Sequence, residues 1–335
     1  MQLSLKLYKL NSVSNASEAI EREIQREIRE LEFKLGTDVP VSEIPITLNQ
    51  TLLYGGKRFR PLLCLMMSRF FRVPFARIAP IAMASERVHA ATLAHDDVID
   101  EATLRRNRAS INARSSNARA VLAGDLLLSK VMLDVVEVGN LEIVKDLART
   151  ICELVEGEWL QLEARGIMQV QRKDLERVAI LKTASLFKWC CTTPARLAGV
   201  SDEILATVRI FGENLGLAFQ MIDDALDFSS TSGKSYAKDY QEGLVNYVLM
   251  ELLEENPLRA QKVGAGLGKV LDEKNMPWQT PEIDHAIALT KARARLKLEA
   301  ARAAFIRLEN MGEFKNDSGA LPIHHLLDKI VERAS

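Results

Sequence analysis

The sequence predicts an all-α protein, and three observations carry that reading. Apolar residues recur at helical spacing along most of the 335 residues. No segment shows convincing strand-like alternation, and no Asn-Gly hairpin signal appears. The ten prolines, Pro40, Pro45, Pro61, Pro74, Pro80, Pro194, Pro257, Pro277, Pro281 and Pro322, fall mostly at expected helix edges.

The first helix is expected after a Ser17 cap, with Ile20, Ile24, Ile28, Leu31 and Leu35 on one face and charges on the other. Loops are expected at 36–47, 72–77, 104–118, 165–172, 229–243 and 311–320. Thr280 and Pro281 read as an N-cap followed by proline at the first helical position. From there Ile283, Ile287, Ala294, Leu298, Ala301 and Leu308 run toward Gly312 as one long helix or two in series. No loop resembles an interdomain linker, and neither repeats nor low-complexity segments appear. The expectation is one domain over 1–335, a large bundle of about ten or more helices.

Composition narrows the function. Hydrophobic residues make up 47% of the chain, enough for a sizeable core. Forty-four basic and 45 acidic side chains leave a net charge near −1, which gives no reason to expect a nucleic-acid partner. Cys64, Cys152, Cys190 and Cys191 form no CxxC or Cys/His pattern, so neither zinc nor haem is expected. The adjacent pair reads as buried helical cysteines. No signal peptide and no apolar run long enough to span a membrane is read, so a cytoplasmic location is expected.

Two acidic clusters carry the chemistry. LAHDDVIDEATLRRN at 93–107 holds Asp96, Asp97 and Asp100; FQMIDDALDF at 219–228 holds Asp223, Asp224 and Asp227. Both have the form DDxxD. On a helix the first and last aspartates of each share a face and repel unless a cation lies between them. Hard oxygen ligands with room for water and phosphate oxygens suit Mg²⁺. A single such cluster reads as a solvated acidic face. Two copies, each ending an apolar helical run (TLA at 92–94 and LAFQMI at 217–222), read as a paired metal site at a cavity rim. GGKRFRP at 55–61 adds Lys57, Arg58 and Arg60; Arg105 and Arg106 follow the first cluster; Lys182 lies in LKTASLF, and Lys234 follows Gly233. Each alone reads as an ordinary solvated cation. Together with the aspartates they suit phosphate oxygens.

These segments, with ERVHAAT, AVLAGDLLLSK, EGEWLQL and GKSYAKD between and after them, resemble the trans-prenyl diphosphate synthases, or polyprenyl synthetases, over about Gly55 to Asp239. The resemblance implies an isoprenoid synthase fold around a central cavity, usually a homodimer. It implies that Asp96, Asp97 and Asp100 hold one group of Mg²⁺ ions and Asp223 and Asp227 another, with Asp224 nearby. Lys57, Arg60, His89 and Arg106 match positions that hold isopentenyl diphosphate. Arg105, Lys182 and Lys234 match those that hold the allylic diphosphate, and Thr183 and Gln220 lie near the developing carbocation. No protein nucleophile is required. His95 reads as structural.

In such enzymes the residues before the first aspartate cluster line the tunnel for the growing chain. Here Thr92 and Ala91, then Val88, Ser85 and Ala84, are all non-aromatic. A product longer than C20 follows, and EGEWLQL resembles the long-chain members. The alternative is that these small residues serve helix packing. The chain departs from the family pattern at Asn107, where Gly is usual, and at Leu244, Asn246 and Val248, in place of Lys, Thr and Pro. A missing cation at 244 alters the primer or the rate unless Lys238 substitutes. Competing readings are a shorter-chain synthase, a terpene cyclase, which has no use for Lys57, Arg60 and Arg106, and a non-catalytic subunit, which would not keep all six aspartates.

Overall fold

The computed structural model describes residues 15–37, 52–53, 56, 58–105, 108–228, 236–271, 275–311 and 318–334. Helices dominate them: α1 (Asn15–Thr37), α2 (Phe59–Phe70), α3 (Phe75–Ile99), a single turn α4 (Ile111–Arg114), α5 (Asn117–Glu137), α6 (Leu141–Glu163), α7 (Arg172–Ala179), α8 (Ser185–Ala198), α9 (Asp202–Asp227), a single turn α10 (Lys238–Gln241), α11 (Tyr247–Glu255), α12 (Ala260–Gly266), α13 (Thr280–Glu309) and α14 (Leu321–Ala334). The expected face of α1 is buried through Ile24, Leu31 and Leu35, while Ser17 and Ile20 lie where side chains are not described. Residues 280–309 form one continuous helix, with Ile283, Ala294, Leu298, Ala301 and Leu308 buried along it.

Several expectations are corrected. The stretch 104–118 is not plain loop: β1 (Leu104–Arg105) and β2 (Arg108–Ala109) pair antiparallel, and α4 and the start of α5 follow. Helix α3 already begins at Phe75, and α10 forms inside 229–243. Pro80 and Pro194 lie inside helices, not at their edges. Beside Pro194, which offers no N–H, the Thr193 hydroxyl donates to the Trp189 carbonyl at 2.9 Å, a local bond that tolerates a bend.

The residues group into two compact units. The first comprises Met1–Ala148, Trp189–Val208 and Leu308–His325; the second comprises Arg149–Lys188, Arg209–Arg307 and Leu326–Ser335. Each division falls inside a helix, in α6, α8, α9, α13 and α14 in turn.

In the first unit α3 packs on α5 through small side chains. Ala90, Ala91 and Ala94 meet Ala120, Ala123 and Leu127, with Leu52, Leu53 and Ile111 alongside. A Cβ on Gly124 would stand 2.2 Å from His95 Nε2, so a larger residue there would require the imidazole to swing aside. The buried Arg87 pairs with Asp134, which also takes Lys130 at 2.8 Å, and so α3 is tied to α5. Cys64, Cys190 and Cys191 are buried, and burial pushes the Cys64 and Cys191 thiols well up; Cys152 is exposed. In the second unit Phe228, Ala237, Tyr240, Val248, Leu249, Met276 and Trp278 share a core. Trp278 stacks edge-on against Tyr240 at 4.9 Å between ring centroids, and the Tyr240 hydroxyl donates to the Val263 carbonyl at 2.7 Å.

Candidate active site

The first acidic cluster ends α3. Asp100 caps the helix, its N–H reaching the Asp96 carbonyl at 2.8 Å. Glu101 follows with φ 51°, and the N–H groups of Glu101 and Ala102 return to Val98 and Asp97 at 3.3 and 2.9 Å. This closing motif normally takes glycine at the left-handed position. Asn112 Nδ2 clamps it further, donating to the carbonyls of Asp97 and Ala102, each at 2.9 Å.

Asp96 and Asp100 remain half-buried on the helix end, whereas Asp97 is 0% exposed. Its Oδ1 accepts Arg105 Nε at 2.9 Å and Arg105 Nη2 at 2.5 Å. The β1–β2 register pairs Leu104 with Ala109 and Arg105 with Arg108. Arg105 is thereby carried on a strand pair and held by the cluster itself. Arg106 and Asn107 lie outside the described residues, as do Lys57 and Lys234.

Of the described basic residues in GGKRFRP, Arg58 is not part of an anion pocket. It is 6% exposed with φ 47°, and its guanidinium pairs with Glu86 of α3 and donates to the Leu53 carbonyl. The signal for this lay in Glu86, which follows the apolar run IAMA at 81–84 and which burial obliges to find a cation. Arg60 and His89 are half-buried. Ala91 and Val88 are fully buried, and Ala91 belongs to the α3–α5 core. Thr92 is half-buried, and its hydroxyl donates to the His89 carbonyl at 2.9 Å. His95 lies over Gly124 with Nε2 3.3 Å from the Val121 carbonyl.

The second cluster ends α9, in the second unit. Between α7 and α8 the chain makes a π-helical turn, Ile180–Ala184, which carries Lys182 and Thr183. Such widened turns are frequent at functional sites. Two glycines admit it. A Cβ on Gly157 would stand 2.6 Å from the Lys182 amide nitrogen, and a Cβ on Gly216 would stand 2.5 Å from Ala184 Cα. Lys182 is held by a short ion pair with Glu158, the residue after Gly157. Thr183 donates to Gln220 Oε1 at 2.5 Å, and Gln220 Nε2 donates to Asp224 Oδ1 at 2.7 Å. Asp224 Oδ2 accepts the Tyr247 backbone N–H at 3.0 Å.

Asp223 is exposed, while Asp224 and Asp227 are buried. Asp227 Oδ2 accepts the Asp239 N–H at 3.0 Å, and its carbonyl accepts the Ala237 N–H at 2.8 Å. Burial, and then the charge of Asp239, push the Asp224 carboxyl well up; the Tyr247 and Gln220 donors oppose this. Burial also raises Asp239. Asn246 donates to Asp239 Oδ2 at 2.9 Å and accepts the Leu249 N–H at 3.2 Å, capping α11. The departure from Thr at 246 therefore keeps the cap, and Val248 joins the core. Lys238 pairs with Glu242 at 2.9 Å.

Sequence reasoning passed over Gly157, Gly216, Glu158 and Asp239 as site residues. A glycine within a helical pattern is a cue to close approach, but it does not say to what.

Among the described residues no three carboxylate, imidazole or thiol groups converge on a ready-made metal position. The donor chemistry still fits Mg²⁺, which keeps several waters and binds through one or two carboxylates plus phosphate oxygens rather than a closed protein cage. Crowded acids whose carboxyls are driven up by burial and like charge are what a hard cation relieves.

The class that fold and site define is an all-α protein in which two helices end in acidic clusters. The polyprenyl synthetase family model matches residues 43–276, beyond both ends of the stretch the motifs bound, and the chain belongs to that family. It is 35% identical over 234 residues to solanesyl-diphosphate synthase 1, mitochondrial, of Oryza sativa subsp. japonica, a match covering 63% of this chain and 54% of that one. It is 34% identical over 252 residues to heptaprenyl diphosphate synthase component 2 of Geobacillus stearothermophilus, covering 74% and 76%. The chain thus spans about half the length of the rice relative. A crystal structure of polyprenyl synthase from Caulobacter crescentus CB15, complexed with calcium and isoprenyl diphosphate, superposes with a TM-score of 0.78 at 27% identity, covering 97% of this chain and 98% of that one. The fold is the isoprenoid synthase fold.

Proposed function

We propose that this chain is a Mg²⁺-dependent, chain-elongating prenyltransferase. It condenses isopentenyl diphosphate with an allylic prenyl diphosphate to a product longer than C20. The observation that carries the reading is the Thr183–Gln220–Asp224 hydrogen-bond chain on a π-helical turn beside Lys182, at the end of a helix that closes in acids. Nothing in it resembles a nucleophile with its base. A cationic side chain, a hydroxyl and an amide aligned on buried carboxylates suit a reaction that releases an anion and passes through a cation.

Asp96, Asp100, Asp223 and Asp227 would hold Mg²⁺, with Asp97 and Asp224 fixing the helix ends they belong to. When bound, Mg²⁺ neutralises the diphosphate and eases its departure. Arg105, Lys182 and Lys234 bind the allylic diphosphate; Lys57, Arg60, His89 and Arg106 bind isopentenyl diphosphate. Thr183 and Gln220 face the allylic carbon as positive charge develops. Thr92 lines the wall beside the growing hydrocarbon, and Val88 and Ala91 pack behind it.

The long-chain reading is supported by the relatives, which are named solanesyl- and heptaprenyl-diphosphate synthases. A homodimer is supported by exposed apolar side chains, Leu122, Leu133 and Val136 on α5 and Val155 and Trp159 on α6. No helix among the described residues is long and apolar enough to cross a membrane; a cytoplasmic site of action remains the proposal. The chain is proposed as one domain, because domains divide at exposed linkers and these units divide inside helices.

The test is purified protein with Mg²⁺, isopentenyl diphosphate and a panel of allylic primers, the products being sized by mass spectrometry. A ladder of products beyond C20 is expected. A cyclised product from primer alone would replace elongation with cyclisation. Silence from folded protein, broken only by a second subunit, would make the chain one part of a heteromeric synthase. Asp96→Ala and Asp223→Ala should each abolish metal-dependent turnover while leaving the fold intact.

A further inference from the structure

Asp224 has both carboxylate oxygens committed inside the protein. It is 4% exposed; Oδ2 takes the Tyr247 N–H at 3.0 Å and Oδ1 takes Gln220 Nε2 at 2.7 Å. Asp223, beside it, is exposed. The two neighbours on α9 thus differ in surroundings as well as in direction. The Tyr247 N–H is a backbone group and can only donate. An ionised carboxylate can only accept, whereas an amide has one end of each kind and a hydroxyl can do either.

From these rules the direction of the whole chain follows. With Oδ2 taking the Tyr247 N–H and Oδ1 taking Gln220, both donors favour the ionised Asp224, and in that form it obliges Gln220 to turn its NH₂ end inward. Gln220 is then left with Oε1 for Thr183, so the Thr183 hydroxyl must donate to it. With its proton engaged, the Thr183 oxygen has only lone pairs for whatever approaches it. A developing carbocation is attracted to lone pairs and repelled by an O–H directed at it.

We propose that Asp224 is a positioning residue rather than a metal ligand: it sets the polarity of the hydrogen-bond chain so that Thr183 meets the allylic cation as an acceptor. The inference rests on the prenyltransferase reading for its chemistry and on the hydrogen bonds alone for its geometry.

Isosteric substitutions reverse the polarity without emptying the site. In Asp224→Asn the new amide must give its oxygen to the Tyr247 N–H and so points Nδ2 at Gln220. Gln220 answers with Oε1 and turns Nε2 to Thr183, whose O–H is now directed at the substrate. Adding Gln220→Glu restores the original direction at Thr183, since a carboxylate at 220 accepts from both neighbours.

The experiment compares wild type, Asp224→Asn and the double variant for kcat, KM for the allylic diphosphate, Mg²⁺ half-saturation and Tm. Expected for Asp224→Asn is a fall in kcat of about 100-fold. KM and Mg²⁺ half-saturation should stay within about twofold. Most of the lost kcat should return in the double variant. Wild-type turnover in Asp224→Asn overturns the proposal, because the chain then does not depend on an acceptor-only group. A rise in Mg²⁺ half-saturation that accounts for the loss also overturns it and makes Asp224 a ligand. If wild type itself has no prenyltransferase turnover, it is the proposed function that fails. The Tm values then decide the polarity: a drop in Asp224→Asn that Gln220→Glu repairs supports it, and a drop left unrepaired overturns it.

Discussion

Gly157 of α6 approaches Lys182 so closely that a Cβ at 157 would stand 2.6 Å from the Lys182 amide nitrogen. The atom in the way is backbone, which cannot swing aside as a side-chain end can. Gly157→Ala must therefore displace the π-helical turn that carries Lys182 and Thr183. Overpacking of this kind costs about 1–3 kcal/mol. A shift of about 1 Å at the reacting groups costs about 100-fold in rate. Thermal unfolding and steady-state kinetics together check this; wild-type values in both would show that the turn is not held from this side.

Ala91 and Thr92 are adjacent but differ in what surrounds them. Ala91 is buried in the α3–α5 core, whereas Thr92 is half-buried with its hydroxyl returned to its own helix. Ala91→Phe is expected to destabilise the protein by at least about 1–3 kcal/mol. Thr92→Phe should leave the Tm within a few degrees and shorten the product. Mass spectrometry of products, alongside melting curves, separates the two; an unchanged ladder in Thr92→Phe would remove this residue from the tunnel wall.

Glu101 is exposed and held at φ 51°, closing α3 at the position that favours glycine. The left-handed conformation costs a side-chain-bearing residue about 1–2 kcal/mol. Glycine escapes that but leaves a freer unfolded chain, at about 0.5–1 kcal/mol. The balance favours Glu101→Gly by up to about 1.5 kcal/mol, read as a rise in Tm. A fall would locate a contact of Glu101 that offsets its strain.

Tyr247 is 1% exposed, and its buried hydroxyl has no hydrogen-bond partner among the described residues. Burial drives the phenol far above its ordinary pKa. An unpaired buried hydroxyl costs about 1–3 kcal/mol. Tyr247→Phe keeps the backbone N–H that Asp224 needs and is expected to raise stability in urea unfolding. A loss would mean that an ordered water serves the hydroxyl.

Much of this was legible in the residues. The period of Ile283, Ala294, Leu298 and Leu308 defines α13, and the doubled DDxxD marks the two helix ends. What was not legible concerns pairs distant in sequence. Arg58 looked like its neighbours Lys57 and Arg60, and only the packing of α2 against α3 sends it to Glu86. Pro80 and Pro194 were read by the local rule that proline ends helices, which the fold overrides at both positions. The equal spacing of the aspartates conceals that Asp97 and Asp224 turn inward, because the i, i+4 rule describes one helix and not its neighbours. Ala91 and Thr92 gave no hint which would face a core.

The interleaving of the two units governs the order of assembly. The first unit joins Met1–Ala148 to Leu308–His325, with most of the second unit between them in sequence. During synthesis its earlier helices must wait, apolar faces uncovered, until Leu308–His325 has been made. Contacts between residues so far apart in sequence form slowly, because a long loop must close before they reward it. A chain of this design is most aggregation-prone between the making of these two segments, and a deletion within Leu308–His325 injures helices far from it in sequence.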